Sequence, residues 1–459
     1  MRLFFLPKLL FILLFLAGCV SVHERVELPI ADLPSEWSNS IRSDGAVKNY
    51  WLLDFNDPTL EALVAESLEN NPNLIATAAR LNHALAEAKI AGADRLPSFA
   101  LGLGGSRQRI SNFGPQQTDG IYYNNNNIDL NLSWEIDLWG RLNNYSSAAL
   151  AKAEASSADY AATRLSLAAQ TAKSWFNFKE AAAQEQLAEI DVINHEKNLA
   201  ALESGYRSGI RTGLEIREIR NLAANAAAIL SSRRRQLDQA ARRLEIFLGR
   251  YPSASLVKAT DLPSLPESIP AGLPSELLLR RPDLIAAERR LAATNQTLRA
   301  AKKDLLPKLS LTSSAGTATS EFDQLLDSNF RVGAVAGNLI SPIFQGGRIR
   351  ANIDRRKSEK DQSIANYHST ALQAFLEVES ALAGENLLRV EARQLMQAAN
   401  TAKDSLKLAR QQYSRGSLSF SKMLQSERNA IAMQSRYLVA HRNLLNNRID
   451  LHLALGGSF

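Results

Sequence analysis

The chain has one cysteine, Cys19, in 459 residues, which excludes an intrachain disulfide. Its histidines form no metal-binding helix motif and cluster with no cysteine, so His83, His195, His368, His441 and His452 are expected at the surface or in packing, and no metal site is expected. Aromatic residues make up only 7%, while alanine is abundant, a balance that favours long, closely packed helices over bulky globular cores. Charge of one sign is in small excess. The formal net charge is +6, and removal of a leader carrying Arg2 and Lys8 leaves 6 − 2 = +4, too little to argue for a nucleic-acid partner. With no nucleophile motif, no metal spacing and no paired carboxylates in a plausible site, an enzyme is the weakest of the function classes.

The only strongly apolar run is at the N-terminus. In MRLFFLPKLLFILLFLAGC, Arg2 and Lys8 precede the stretch Leu9 to Ala17, which is too short for a permanent membrane helix and has the form of a signal-peptide core. Residues 1–18 read as a signal peptide and 19–50 as the polar start of the exported chain. LAGC, ending at Cys19, resembles a bacterial lipobox. That resemblance implies a diacylglycerol and an N-acyl chain on Cys19, with no other cofactor, and Val20 in place of Asp after the cysteine implies sorting to the outer membrane.

The chain also repeats itself. NPNLIA at 71–76 answers RPDLIA at 281–286, an offset of 284 − 74 = 210, and Leu96-Pro97 answers Leu306-Pro307 at the same offset. Tyr206 and Gly209 answer Tyr413 and Gly416, and Leu248-Gly249 answers Leu455-Gly456, at 456 − 249 = 207. Two similar halves are expected, at 51–251 and 275–459, joined by a proline-rich linker at 252–274.

Each half changes period part-way. A short helix is expected to start at Asp57-Pro58, followed by an alanine-rich helix from Leu74 to Arg95 that Pro97 stops. Phe99, Leu101 and Leu103 then alternate with Ala100, Gly102 and Gly104, and IDLNLSWEIDL at 128–138 alternates apolar and polar at every position. Both are strands with one face in an apolar medium and one in water. Gly102-Leu103-Gly104-Gly105 lacks dinucleotide-loop spacing and reads as a place where the sheet bends or neighbours approach. SNFGPQQTDGIYYNNNN between the strands reads as an exposed loop. Trp134, Trp139, Tyr122 and Tyr123 flank the strand and suit either an interfacial belt or simple packing. In the second half Leu309 and Leu311 alternate with Ser310 and Thr312. Phe330, Val332, Ala334 and Ala336 alternate with Arg331, Gly333 and Gly337, after an acidic loop near Glu321–Asp327. Strands are thus expected at about 98–137 and 309–339, four in all.

Proline and glycine are absent from Arg141 to Glu203, and Gly384 alone interrupts Arg348 to Tyr413. Leu165, Ala169, Ala172, Phe176, Ala183, Leu187 and Ile190 recur at coiled-coil spacing. A helix of about 60 residues is roughly 90 Å long. Each long helix is expected to turn at Gly209 or Gly416 and return, giving helical hairpins at about 141–249 and 348–456. Arg233-Arg234-Arg235 reads as a solvated helix face.

Four spanning strands cannot close a barrel, since small barrels need about eight. Copies must share one; three would supply 3 × 4 = 12 strands above a cylinder of 12 long helices. At this point the residues resemble the TolC-like outer membrane factor family, in its lipoprotein branch serving resistance-nodulation-division efflux systems. Matching stretches are the lipobox at Cys19, WLLDFNDPTL at 51–60, SWEIDLWGR at 133–141, LPSELLLRRPDLIAAERRL at 273–291, SPIFQGGRIRANI at 341–353, ALQAFLEVESAL at 371–382 and LALGG at 453–457. The resemblance implies an α+β membrane protein: a homotrimer with a 12-stranded outer-membrane β-barrel continued by a long α-helical periplasmic barrel. It implies a periplasmic adaptor and an inner-membrane pump as partners, outer-membrane lipid around the barrel, and passive conduction of what the pump delivers. It also puts a periplasmic gate at the hairpin tips, with Tyr206, Glu218, Tyr413, Ser421, Gln425 and Arg428 as candidates and Gly209 and Gly416 as the turns. Gln425 stands where many relatives carry an aspartate ring, and Ser421 where an apolar ring is frequent; Glu215 and Glu218 are candidates to compensate the lost charge. A duct for type I protein secretion and a non-conducting coiled-coil lipoprotein are the alternatives, the latter leaving the strands without purpose.

Overall fold

A computed structural model describes residues 37, 50–110, 120–264 and 280–457. The signal peptide, Cys19, residues 111–119 and the linker stretch 265–279 lie outside the described residues. A 3-10 turn, Trp51–Phe55, leads into α1 (Pro58–Asn70), α2 (Pro72–Ala93), β1 (Ser98–Ile110), β2 (Ile121–Ile136), α3 (Arg141–Arg207) and α4 (Gly213–Phe247). Then come α5 (Pro282–Lys303), β3 (Lys308–Thr319), β4 (Arg331–Ile340), α6 (Arg348–Ser414) and α7 (Phe420–Ala454).

The duplication is carried into element lengths. α2 and α5 are each 22 residues, α3 and α6 each 67, α4 and α7 each 35. At 1.5 Å per residue the long helices run about 100 Å and their return partners about 52 Å. Proline opens both 22-residue helices, where its missing N–H costs nothing. The halves also close on themselves in the same way. Asn71 donates to the Phe247 carbonyl at 3.0 Å, and Arg281 to that of Ala454 at 3.1 Å, so each return helix ends against the beginning of its own half's 22-residue helix. The glycines after the return helices, Gly249 and Gly456, have φ of +72° and +66°; a Cβ on Gly249 would stand 2.5 Å from the Asn70 carbonyl oxygen and one on Gly456 3.0 Å from that of Arg280. Only glycine serves a left-handed turn at such close approach.

The main core surrounds the middle of α3. Trp51, Phe55, Leu60 and Val64 pack on Ala168, Ala172, Phe176 and Phe178 of α3, with Leu244 of α4 and Leu445 and Ile449 of α7. Here α3 is buried around most of its circumference, charged side chains included. The expected coiled-coil seam therefore holds only in part: Leu165, Ala169, Ala172, Phe176 and Leu187 are buried and Ile190 is 48% exposed, while Ala168, Trp175 and Phe178 off the seam are also buried because α3 meets several helices instead of one partner. Asp57 fixes the outer layer to this core. It accepts from the Thr59 and Leu60 amides as an N-cap, and from Trp175 Nε1 at 2.8 Å and Lys179 Nζ at 3.1 Å. Residues 251–264 hold neither helix nor strand, and Ala254, Leu256, Ala259 and Leu262 lie along the core's outside.

The strands form a single antiparallel sheet in the order β1-β2-β3-β4. Two expectations change. Residues 121–127, read as loop, belong to β2 and pair with Gly104 to Ile110; a polar sequence can still form a ladder, because backbone groups make it. On β4 the phase is reversed. Leu339 pairs with Leu309 and Val335 with Ser313, whereas Val332, Ala334 and Ala336 pair with Gly316, Ser314 and Thr312. Val335 and Leu339 thus share the apolar face, and the small residues 332, 334 and 336 lie on the polar one.

Candidate functional site

Two places can carry function: the sheet and the hairpin tips. Directly paired residues share a face in an antiparallel ladder, and the register is unbroken across all four strands. One face presents Phe99, Leu101, Leu103, Ile128, Leu130, Leu132, Trp134, Ile136, Leu309, Leu311, Val335 and Leu339. Phe99, Leu101, Leu103, Val335 and Leu339 are 64–77% exposed, so among the described residues no element is packed over this band. From Ile128 to Ile136 it extends about 27 Å along the strand, or about 19 Å in height at a tilt near 45°, most of the height of a barrel's lipid-facing band. The opposite face carries Asn127, Asp129, Asn131, Ser133, Glu135, Ser310, Thr312, Ser314 and glycines.

On that face Gly102 and Gly104 make room for side chains, and Gly316 for the backbone of the neighbouring strand. Asp129 sits between Gly102 and Gly316; a Cβ at Gly102 would be 3.2 Å from the Asp129 carboxylate and one at Gly104 2.6 Å from Asn127 Oδ1. The Asp129 carboxylate accepts from both Asn127 and Asn131. Tyr122 and Tyr123 fall on opposite faces, with Tyr122 on the apolar side, so they do not form one belt.

Below the sheet, SWEIDLWGR builds a junction. Trp134 donates to the Arg95 carbonyl at 3.0 Å and Trp139 to that of Pro307 at 2.7 Å, tying β2 and its exit to the ends of α2 and α5. Asp137 caps α3 through the Leu142 and Asn143 amides at 3.1 and 2.7 Å, and Arg141 donates to Glu135 at 2.7 Å. Gly140 takes φ +72° to turn the chain from strand to helix.

At the other end, the two tips are built alike. Gly209 N–H meets the Tyr206 carbonyl and Ile210 N–H that of Gly205, both at 2.9 Å; Gly416 and Ser417 repeat this with Tyr413 and Gln412 at 2.9 and 3.0 Å. Gly209 and Gly416 have φ of +73° and +75°, so both act as helix-ending turns. Thr212 and Glu215 form a capping box starting α4. That bond from the Thr212 amide holds the Glu215 carboxyl below its usual range. Glu215 is therefore held in its charged form within the capping box that starts α4. Ser419 caps α7 through Lys422 N–H at 3.4 Å.

Within the chain, the tips meet through Leu202, Ile216, Ile219, Phe420, Met423 and Leu424. Arg211 Nη2 donates to the Tyr413 hydroxyl at 3.0 Å, with its guanidinium 5.7 Å from the ring centroid. Among the described residues, Tyr413 is the one of the six candidate gate residues that makes such a contact between hairpins. Tyr206 and Glu218 are exposed on the first hairpin, while Ser421, Gln425 and Arg428 are exposed along one face of α7. Arg211 escaped the sequence reading because its partner lies 202 residues away and nothing in the local pattern marks it. The same holds for buried Glu427, which takes Asn198 at 3.2 Å and Arg410; His195, expected at the surface or in packing, is buried 3.3 Å from Asp191 on its own helix. Burial raises the Asp191 carboxyl above its usual range, His195 opposes this, and Glu427 adds to it.

Farther up, α3 and α7 are joined by a polar series: Gln184 with Ser435, Glu180 with Arg442, Asn177 with Asn446 and Lys173 with Asp450. Among the described residues no cluster suits a metal ion, and no helix is long and apolar enough to cross a membrane.

Comparison with known proteins agrees with this architecture. The chain is 30% identical over 463 residues to the solvent efflux pump outer membrane protein SrpC of Pseudomonas putida, covering 98% of this chain and 97% of that one. It is 30% identical over 452 residues to the cation efflux system protein CusC of Escherichia coli, covering 97% and 96%. The crystal structure of the Campylobacter jejuni CmeC outer membrane channel superposes with a TM-score of 0.89 at 25% identity, over 95% of this chain and 94% of that one. The outer membrane efflux protein family matches at residues 63–250 and 273–457, and with both halves of its duplicated framework accounted for, the chain belongs to that family.

Proposed function

We propose that this outer-membrane efflux channel works as a homotrimer, the exit duct of a tripartite system in which an inner-membrane pump and a periplasmic adaptor deliver the cargo. The carrying observation is the four-stranded sheet, apolar on one face and polar on the other, whose edge strands β1 and β4 have no partner strand among the described residues. Unpaired edges in hydrocarbon cost several kcal/mol per polar group, and joining β4 of one copy to β1 of the next removes them. Three copies give 3 × 4 = 12 strands, with the Asp129 face lining the lumen. Leu372, Leu376, Leu387 and Val390 on α6 are exposed in the single chain and fall within a stripe about 60° wide, which supports burial against a neighbouring copy. Acyl chains on Cys19 add a second membrane attachment.

The tips form the periplasmic gate. Tyr413, held by Arg211, keeps the two hairpins of each copy together, and Ser421, Gln425 and Arg428 face the narrowed lumen with Tyr206 and Glu218 nearby. Opening swings the α6–α7 hairpin outward when the adaptor binds. The duct conducts passively and catalyses nothing. Relatives of equal identity are named for solvents and for cations, so cargo is set by the pump, with small molecules as the class served. Single-channel recording in planar bilayers tests the proposal: discrete conductance steps are expected, and their absence would leave a structural lipoprotein instead. Arg428→Ala and Tyr413→Phe should raise the time spent open; if neither does, these residues are not the gate.

A further inference from the structure

At the end of the sheet remote from the helices, the outward face changes character. Outward positions on β1 run Phe99, Leu101, Leu103, Gly105, Arg107 and Arg109; their partners on β2 run Leu132, Leu130, Ile128, Asn126, Asn124 and Tyr122. The guanidiniums of Arg107 and Arg109 lie 4.8 and 5.7 Å from the centroid of the Tyr122 ring. Arg331 occupies the same face at the corresponding end of β4. The charged residues of the outward face are all arginines, Arg107, Arg109 and Arg331, whereas the other face carries both signs, with Lys308 beside the acidic residues. The acidic residues of the strands, Asp129 and Glu135, lie on the lumen face, and no acidic residue lies on the outward face of any of the four strands.

An arginine turned toward hydrocarbon is costly at mid-depth and tolerated only near the interface. The apolar band ends at the Leu103–Ile128 pair, and Arg107 stands four residues beyond it. That is about 14 Å along the strand, or about 10 Å in height at a tilt near 45°, the level of lipid headgroups. There a guanidinium meets phosphate oxygens with two parallel N–H donors, and Tyr122 supplies a flat amphipathic surface suited to the same depth.

We propose that Arg107 and Arg109, stacked on Tyr122, hold a phosphate of a lipid headgroup in the outer leaflet, on the lipid side of the barrel. The assignment rests on the channel reading, which puts this face against the membrane, and it adds a ligand to a surface that the conduction pathway does not use.

The test uses the full chain in detergent micelles, titrated with bisphosphorylated lipid A and, in parallel, with the same glycolipid stripped of phosphate. Preferential binding of the phosphorylated form is expected, with affinity lowered about tenfold or more in the double variant Arg107→Gln, Arg109→Gln and retained in Arg235→Gln, a change on an exposed part of α4. Equal binding of the two glycolipids, or undiminished affinity in an assembled double variant, would overturn the proposal. So would displacement of the lipid by inorganic phosphate, which would point to a site for the free ion. If the double variant does not assemble, the phosphate-free glycolipid on the unchanged chain decides. Conductance of the same sample reports separately on the channel, so failure of one reading is not mistaken for failure of the other.

Discussion

Asp57 shows how much a single side chain can organise. Its carboxylate starts α1, receives Trp175 and pairs with buried Lys179, and these bonds hold it below the usual carboxylate range although burial alone would raise it. Asp57→Ala should cost about 3 kcal/mol, because it uncaps a helix and strands the Lys179 charge, and should appear as a clear drop in melting temperature by circular dichroism. His452 is the opposite case. It is fully buried, stacked on Trp51 with centroids 5.7 Å apart, and its Nε2 lies 3.3 Å from Asp54. Burial pushes its pKa below the ordinary 6.5, and Asp54 only partly opposes this. The folded chain therefore takes up this proton less readily than the unfolded one, so its contribution is complete above about pH 6.5 and is lost as pH falls through the depressed value. His441, also lowered by burial, acts in the same direction. Melting temperature should fall between pH 7 and pH 5, and His452→Gln should flatten that slope; an unchanged slope would clear His452 of the role. The sequence reading assigned His452 to surface or packing, which was as far as a lone histidine could be read, since Trp51 and Asp54 come to it from the far end of the chain.

At the scale of elements, regular periodicity was readable and phase was not. The long helices, their returns and the glycine turns were legible because an unbroken stretch without proline or glycine leaves little else for the chain to do. β2 was legible where apolar and polar residues alternate, and missed at 121–127, where Ile121 and two tyrosines are followed by four asparagines without alternation. On β4 the residues that alternate are mostly small, so either face could pass for the apolar one, and only pairing to Leu309 and Ser313 decides. The tip candidates came with the family resemblance, and all but half-buried Tyr413 are exposed on the hairpins, whereas Arg211 and Glu427 depend on contacts between halves. Gly316 gives a direct test of the sheet: a Cβ there would lie 1.9 Å from the Ile128 carbonyl oxygen. Gly316→Val should therefore break the β2–β3 ladder and abolish recovery of assembled protein from the membrane fraction, while Gly337→Ala, where a Cβ meets nothing within 4 Å, should be recovered normally.

For the whole molecule, closure decides everything. A sheet with two open edges and an uncovered apolar face cannot be the finished state in a membrane. Light scattering of the detergent-extracted protein, corrected for bound detergent, should give three times the mass of one processed chain of somewhat under 50.4 kDa; a mass of one chain would end the shared-barrel proposal. The number of strands per chain was legible from alternation. The number of copies follows from barrel geometry, and the residues that meet at the seams are not marked by any motif.

The joints at Asn71–Phe247 and Arg281–Ala454 have a mechanical consequence. Each half sets one uninterrupted rod of 67 residues beside two shorter rods butted together. An uninterrupted rod resists bending through every hydrogen bond along its length, whereas a butt joint held by one side chain and a glycine turn yields first. A cylinder walled this way has a compliant girdle at the level of the joints, so torque applied at the tips is absorbed there, and the membrane-embedded end stays still.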